Sequence, residues 1–343
     1  MKYVAYCVKG LEAIVEAEIK EKILDAQIIL KQDKLIIFSS NSDLESLTKL
    51  RTVDDLQILL VNTQPESLLF VQLNDLHLDE VTNQIKRFRE IRNSFSITTS
   101  IAKSKIDDSA VVEYVKKLLT EEGFIFDETS RTNLDFRIFL NNSIGIISLR
   151  ITKEPLAKRS YQTSSYLGAL KPTIASAMVE LVKTTIPNKG RIVDSFSGSG
   201  TILAETYLAG YEVYGGDINP DAVKITTNSL NQLGMNSSGA VKLQNAIKTS
   251  WPSKYFDAAI SNLPWDKQHE VDRITDLYVG ALKEYHRILK DQFALCIICH
   301  KPELLIKHIK VIFGKVKIQQ YKLGILGQTP TIVLVKFCQQ NNL

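Results

Sequence analysis

Three short stretches put chemically capable residues at the ends of apolar runs. Asp194-Ser195-Phe196-Ser197-Gly198-Ser199-Gly200-Thr201 follows the run RIVDS and opens TILAETYLAG. Its glycines permit a tight turn and close approach of a ligand to the backbone. Taken alone it reads either as a strand-to-helix turn that needs glycine or as a diverged dinucleotide fingerprint, G-x-G-x-x-x-A. Gly216-Asp217 ends the next run, where a carboxylate can accept both hydroxyls of a ribose. Asn245-Ala246 ends the third, where a side-chain amide can either accept from an adenine amine or cap a turn.

A fourth stretch separates the chemistries. Ser261-Asn262-Leu263-Pro264-Trp265 ends the run FDAAI. Hydride transfer has no use for it; methylation of an exocyclic amine does. The lone pair of such an amine is delocalised into its ring, and must be turned toward tetrahedral geometry before it can attack a methyl group. Two acceptors against its N–H groups assist this and stabilise the positive charge that builds on nitrogen. Asn262 supplies a side-chain carbonyl and Leu263 a backbone carbonyl, which Pro264 frees by redirecting the chain. Trp265 supplies a face for the base, worth about 1–3 kcal/mol. No strong general base is required.

The elements that must position these residues form a repeating βα pattern. From Pro172 onward, runs such as RIVDSF, YEVYGGD, FDAAISN and FALCIICH alternate with helical periods. That pattern predicts a mostly parallel sheet with helices on both faces. VKIQQYKLG and TIVLVKFCQ have no helix between them and read as a closing antiparallel hairpin. Residues 1–62 follow the order β-α-β-β-α-β of a small ferredoxin-like unit. Residues 63–152 form a second α+β block. Between them and the βα repeats, residues 153–171 are polar, with Lys153, Lys158, Arg159 and Lys171 against one acid, Glu154. Tyr161 and Tyr166 are interleaved. This stretch is either a solvated linker or a basic strip for a phosphate backbone.

Bulk properties fit a globular protein of two or three domains: 343 residues, 44% hydrophobic, 23% charged, net charge +4. No apolar run approaches the ~20 residues of a membrane helix, and no signal peptide is expected at MKYVAYCVKG. The expected location is the cytoplasm. Cys296 and Cys299 have the spacing of half a zinc site, but lie in a run of strand formers with no second pair at ligand spacing. They read as core thiols, and no metal is expected.

In these motifs the sequence resembles the THUMP-domain tRNA guanine-N2 methyltransferases of the archaeal type, with eukaryotic relatives. The matching residues are Asp194–Thr201, Gly216-Asp217, Asn245-Ala246 and Asn262–Trp265, together with Arg159-Ser160-Tyr161 and Leu170-Lys171-Pro172-Thr173-Ile174-Ala175 upstream. Residues 1–152 resemble the family only in element order and size. The resemblance implies an α/β chain. Its C-terminal domain, 172–343, would be a class I Rossmann-like S-adenosylmethionine-dependent methyltransferase. Ferredoxin-like (1–62) and THUMP RNA-binding (63–152) domains would precede it, with 153–171 as a basic linker.

The roles that the resemblance implies are specific. Asp194, Ser195, Phe196, Ser197, Gly198, Gly200 and Thr201 would hold the methionine portion of the cofactor. Asp217 would take the ribose, Ile218, Asn245 and Ala246 the adenine surroundings, and Asn262 would border the methyl group. Asn262, Leu263, Pro264 and Trp265 would present a flipped-out guanine. Lys158, Arg159, Tyr161, Lys171 and Trp265 would contact tRNA. The product would be N2-methylguanosine in the acceptor stem, at the sixth nucleotide, made by a monomeric catalytic chain with room for a small activating subunit. Three residues depart from the family pattern: Ser195 stands for Pro, Asn245 for Asp, and Asp266 for Gly. None removes a group that the chemistry needs. N6-adenine methylation of RNA or DNA stays open, as does an RNA-binding protein with a relic catalytic domain; a nicotinamide dehydrogenase is disfavoured.

Overall fold

The computed structural model describes residues 1–101, 107–129, 133–162, 168–264, 271–325 and 327–337. They divide into two compact units, one of residues 1–7 and 15–157, the other of residues 8–14 and 158–343.

In chain order, the elements up to residue 150 are β1 (Lys2–Tyr6), α1 (Glu12–Lys22), β2 (Gln27–Gln32), β3 (Leu35–Ser39), α2 (Leu44–Leu47), β4 (Asp55–Thr63), α3 (Leu78–Phe88), β5 (Ser94–Ile101), α4 (Asp108–Glu121), β6 (Ile125–Phe126), β7 (Leu134–Leu140) and β8 (Gly145–Arg150). Their strands make one mixed sheet of order β2-β3-β1-β4-β8-β7-β5-β6. Residues 1–62 and 63–152 are therefore joined strand to strand: β4 pairs antiparallel with β8, Gln57 opposite Arg150. A buried polar network crosses this seam. Arg150 donates to both Asp55 oxygens at 3.0 Å and also pairs with Asp135. Tyr6, Ser148 and Gln57 extend it by hydrogen bonds of 2.7–2.9 Å. Charges taken out of water are tolerated only when paired in this way.

The second unit contains α5 (Pro172–Lys183), β9 (Arg191–Asp194), α6 (Thr201–Leu208), β10 (Glu212–Asp217), α7 (Pro220–Gln232), β11 (Val241–Leu243), β12 (Phe256–Asn262), α8 (Val271–Ile288), β13 (Leu289–Cys299), α9 (Pro302–Phe313), β14 (Val316–Lys322) and β15 (Thr331–Phe337). Local signals start these helices. Pro172, Pro220 and Pro302 sit in first turns, where a missing N–H costs nothing. The Asn219 side chain accepts the Asp221 N–H at 2.9 Å.

The sheet order is β11-β10-β9-β12-β13-β15-β14. All neighbours are parallel except β15, which is inserted between β13 and β14 and runs against both. The closing pair is thus the expected hairpin, with its second strand tucked inside the edge. The strand order reverses between β9 and β12, and an open α/β sheet offers its crevice at such a point, beyond the carboxyl ends of the strands. The core between sheet and α8 holds Val193, Phe256, Leu263, Tyr278, Tyr285 and Leu295, among others. Cys296 and Cys299 are fully buried on β13, and burial pushes the Cys296 thiol up. No helix among the described residues is long and apolar enough to cross a membrane.

Candidate active site

The site is built at that crevice. β9 ends at Asp194 and β12 at Asn262, and the two strands are parallel neighbours, with Ala259 opposite Val193. Asp194, Phe196, Ser197, Gly198, Thr201 and Asn262 border one cleft, which Gly168–Leu170 also line. The structure therefore brings together the first and fourth stretches, which lie more than sixty residues apart in sequence.

The loop from Asp194 to Thr201 is held by its backbone. Gly198 and Gly200 have φ of 51° and 78°, in the left-handed region that favours glycine. A Cβ on Gly200 would fall 3.0 Å from the Thr226 backbone and side chain on α7. Thr226 in turn donates its hydroxyl to the Gly198 carbonyl at 3.0 Å. The Gly198 N–H donates to Asp217 Oδ2 and the Asn219 N–H to Asp217 Oδ1, both at 2.9 Å. A carboxylate oxygen has more than one lone-pair site, so Asp217 keeps acceptor capacity for hydroxyls of a ligand while it holds the loop.

Asp194 is buried. Its Oδ1 accepts from the Ser261 hydroxyl at 2.7 Å and from the Phe196 N–H at 3.0 Å. Burial pushes its carboxyl up to about 7; these two hydrogen bonds pull the other way, and the Asp217 charge adds to the rise. Asp194 Oδ2 and Ser197 Oγ are buried polar atoms with no hydrogen-bond partner among the described residues. Unpaired buried polar groups are costly, and these two border the cleft. They fit a ligand that brings polar groups of its own, as the amino-acid part of S-adenosylmethionine does.

At the end of β12, the Leu263 N–H donates to the Ile298 carbonyl at 3.2 Å and the Leu263 side chain is buried. The Asn262 amide is turned toward the Gly168 carbonyl, at 3.4 Å. The Pro264 carbonyl accepts from Tyr278 Oη at 2.9 Å. Trp265 and Asp266 lie outside the described residues, as does Tyr166.

Other expected residues take different places. Asn245 is exposed, and its Oδ1 accepts the Ile247 N–H at 3.1 Å, the turn-capping alternative. Ala246 is buried beneath it, Ser195 is buried beside Asp194, and Ile218 is 71% exposed beyond Asp217. Arg159 and Tyr161, expected on an RNA-contacting strip, turn inward. Arg159 Nε and Tyr161 Oη donate to the same oxygen of the buried Glu205, at 3.0 and 2.7 Å. Lys158 and Lys171 are exposed.

Residues 159–325 match the family described as "RMKL-like, methyltransferase domain". This segment is a methyltransferase domain of that family. Among curated proteins, the chain is 35% identical over 130 residues to a tRNA (guanine(10)-N2)-dimethyltransferase of Pyrococcus abyssi, covering 37% of this chain and 38% of that one. It is 26% identical over 163 residues to the protein of the same name from Methanothermobacter thermautotrophicus, covering 46% and 48%. The matched segments thus span less than half the length of either relative. Among solved structures, TrmN from Thermus thermophilus superposes with a TM-score of 0.78 at 17% identity, over 98% of this chain and 99% of that one. The likeness in fold therefore extends through both units.

The methyltransferase domain also uses residues that sequence reasoning missed. Gln244 accepts the Ser250 N–H and hydroxyl at 3.0 and 3.1 Å, and its amide lies flat against Gly216, where a Cβ would meet Nε2 at 2.8 Å. The only signal for it was the glycine before Asp217. Near the end of β12, Ser261 bonds to Tyr285, and just past it the Pro264 carbonyl accepts from Tyr278; their spacing gave no signal apart from core packing.

Proposed function

We propose that this chain transfers a methyl group from S-adenosylmethionine to the exocyclic N2 of a guanosine in tRNA, giving N2-methylguanosine. The observation that carries the reading is the junction of the glycine loop with Asn262 at one cleft. When bound, S-adenosylmethionine supplies an electrophilic methyl group. Asp194, Phe196, Ser197, Gly198 and Thr201 would hold its amino-acid part, and Asp217 its ribose hydroxyls. Ile218, Asn245 and Ala246 would surround its adenine. The Asn262 amide oxygen and the Leu263 carbonyl would accept the two N–H bonds of the target amine, pulling its lone pair out of the ring and stabilising the charge that develops on nitrogen. Trp265 would stack on the base.

The guanine must leave its stack to reach such a cleft. Residues 1–152, read as ferredoxin-like and THUMP domains, would grip the RNA by backbone and shape, with Lys158 and Lys171 adding phosphate contacts. The resemblance carried by Asn262–Trp265 favours the sixth nucleotide of the acceptor stem. The two relatives named for guanine 10 make that position the competing outcome. The chain would act in the cytoplasm, as a monomer with or without a small activating subunit.

The test is methyl transfer to unmodified tRNA, with nucleoside mass spectrometry and mapping of the modified fragment, and Asn262→Ala as control. N2-methylguanosine from wild type and none from the variant supports the reading, and the fragment identifies the position. N6-methyladenosine would keep the acceptor chemistry and overturn the base. A wild-type chain that fails to bind S-adenosylmethionine would overturn the whole assignment.

A further inference from the structure

Tyr278 and Tyr285 lie seven residues apart on α8, about two turns, and so share one face. Both are among the largest fully buried side chains. Phenylalanine would fill the same space without a polar atom to satisfy, so the hydroxyls need an explanation. Inside the core, each hydroxyl meets a different residue of the segment that carries Asn262 and Leu263. Tyr278 Oη donates to the Pro264 carbonyl at 2.9 Å. Tyr285 Oη lies 2.6 Å from Ser261 Oγ. Because the one Ser261 proton goes to Asp194, the tyrosine is the donor there.

We infer that Tyr278 is a positioning residue for methyl transfer, and that Tyr285 sets the strand carrying the amine acceptors against the cofactor loop. This rests on the reading of Asn262 and Leu263 as those acceptors. The two residues are bracketed. On one side the Leu263 N–H is held by Ile298 at the end of β13; on the other, the carbonyl of the next residue is held by Tyr278. Proline offers no N–H, so its carbonyl is the one backbone hydrogen-bonding group of Pro264 by which the loop can be tied. Acceptors that act on a transition state must be held within about 0.5 Å of their working geometry, and a displacement of about 1 Å costs up to a hundredfold in rate. A single helix face thus sets both halves of the reacting geometry: Pro264 directly, and Asp194 through Ser261.

The experiment compares Tyr278→Phe and Tyr285→Phe with wild type in the full chain. Three quantities are read: kcat and KM on tRNA, affinity for S-adenosylhomocysteine by calorimetry, and amide hydrogen exchange at Leu263. Tyr278→Phe is expected to lower kcat and kcat/KM together by about tenfold, the pattern of an interaction that matters in the transition state. Its affinity for S-adenosylhomocysteine stays within about twofold of wild type, while Leu263 exchanges about tenfold faster. Tyr285→Phe weakens S-adenosylhomocysteine binding as well. A Tyr278→Phe enzyme with wild-type kcat, or one that loses kcat and cofactor affinity in equal measure, overturns the inference. If wild type itself transfers no methyl group, the function reading fails, and the exchange rate at Leu263 alone decides whether Tyr278 ties the loop.

Discussion

The Ser261 hydroxyl reaches Oδ1 of Asp194 at 2.7 Å, and so links the penultimate residue of one catalytic strand to the last residue of its neighbour. Both residues are buried. Ser261→Ala removes that donor and also the Ser261 contact of Tyr285 Oη. Loss of a buried hydrogen bond of this kind costs about 1–3 kcal/mol. The variant should lose that much in urea unfolding, and its affinity for S-adenosylhomocysteine should fall severalfold. Stability within about 0.5 kcal/mol of wild type, with unchanged affinity, would mean the link is incidental.

Asp194 makes the stability of the protein depend on pH in an unusual direction. Its carboxyl titrates near 7 in the fold, against an ordinary value near 3.8. Between those values the native state binds more protons than the unfolded chain, so stability falls as pH rises from about 4 through 7 and is flat beyond. Asp194→Asn cannot ionise and lacks that slope. Relative to wild type, the variant should be most stabilised at pH 8, less so at pH 5.5, and not at all below pH 4. Thermal melts across this range decide it; a constant offset at every pH would refute the argument.

Glu205 binds two groups on one oxygen, Arg159 and Tyr161, and its side chain is fully buried. Removing one partner of a buried ion pair is far more damaging than removing both, by up to about 3–5 kcal/mol. Glu205→Ala is therefore expected to destabilise strongly, and Arg159→Ala in the same chain to recover part of the loss. A double-mutant cycle should give a coupling energy of about 1–3 kcal/mol. Additive effects would show that the pair is held by its surroundings.

The parts of the site legible in the sequence are those that local chemistry dictates. Asp194, Gly198, Gly200, Asp217 and Asn262 stand where apolar strands give way to turns, and the repeating βα rhythm brings such strand ends to one edge. The supporting residues are hidden for the opposite reason. Tyr278 and Tyr285 follow the same periodicity as the leucines and isoleucines around them, and nothing in that periodicity says which hydroxyl meets a carbonyl. Arg159 and Tyr161 carry the composition of a nucleic-acid strip, but their partner is a glutamate inside a helix of mostly apolar residues, over forty positions away. The continuous sheet of the first unit escaped for a related reason: strand pairing is non-local, and a ferredoxin-like order of elements says nothing about what its edge strand meets next.

That joined sheet has a consequence for synthesis. β4 finds its second neighbour only in β8, so residue 57 must wait for residue 150. At ribosomal speeds of about 5–20 residues per second the interval is roughly 5–20 s. Throughout it, β4 presents an unpaired row of backbone donors and acceptors, and Asp55 and Gln57 lack their partners Arg150 and Ser148. An open edge of this kind is a template for pairing with another chain. The buried polar residues along β4 then act as a gatekeeper: a foreign strand that cannot supply an arginine and a serine in register leaves them unsatisfied in a dry interface.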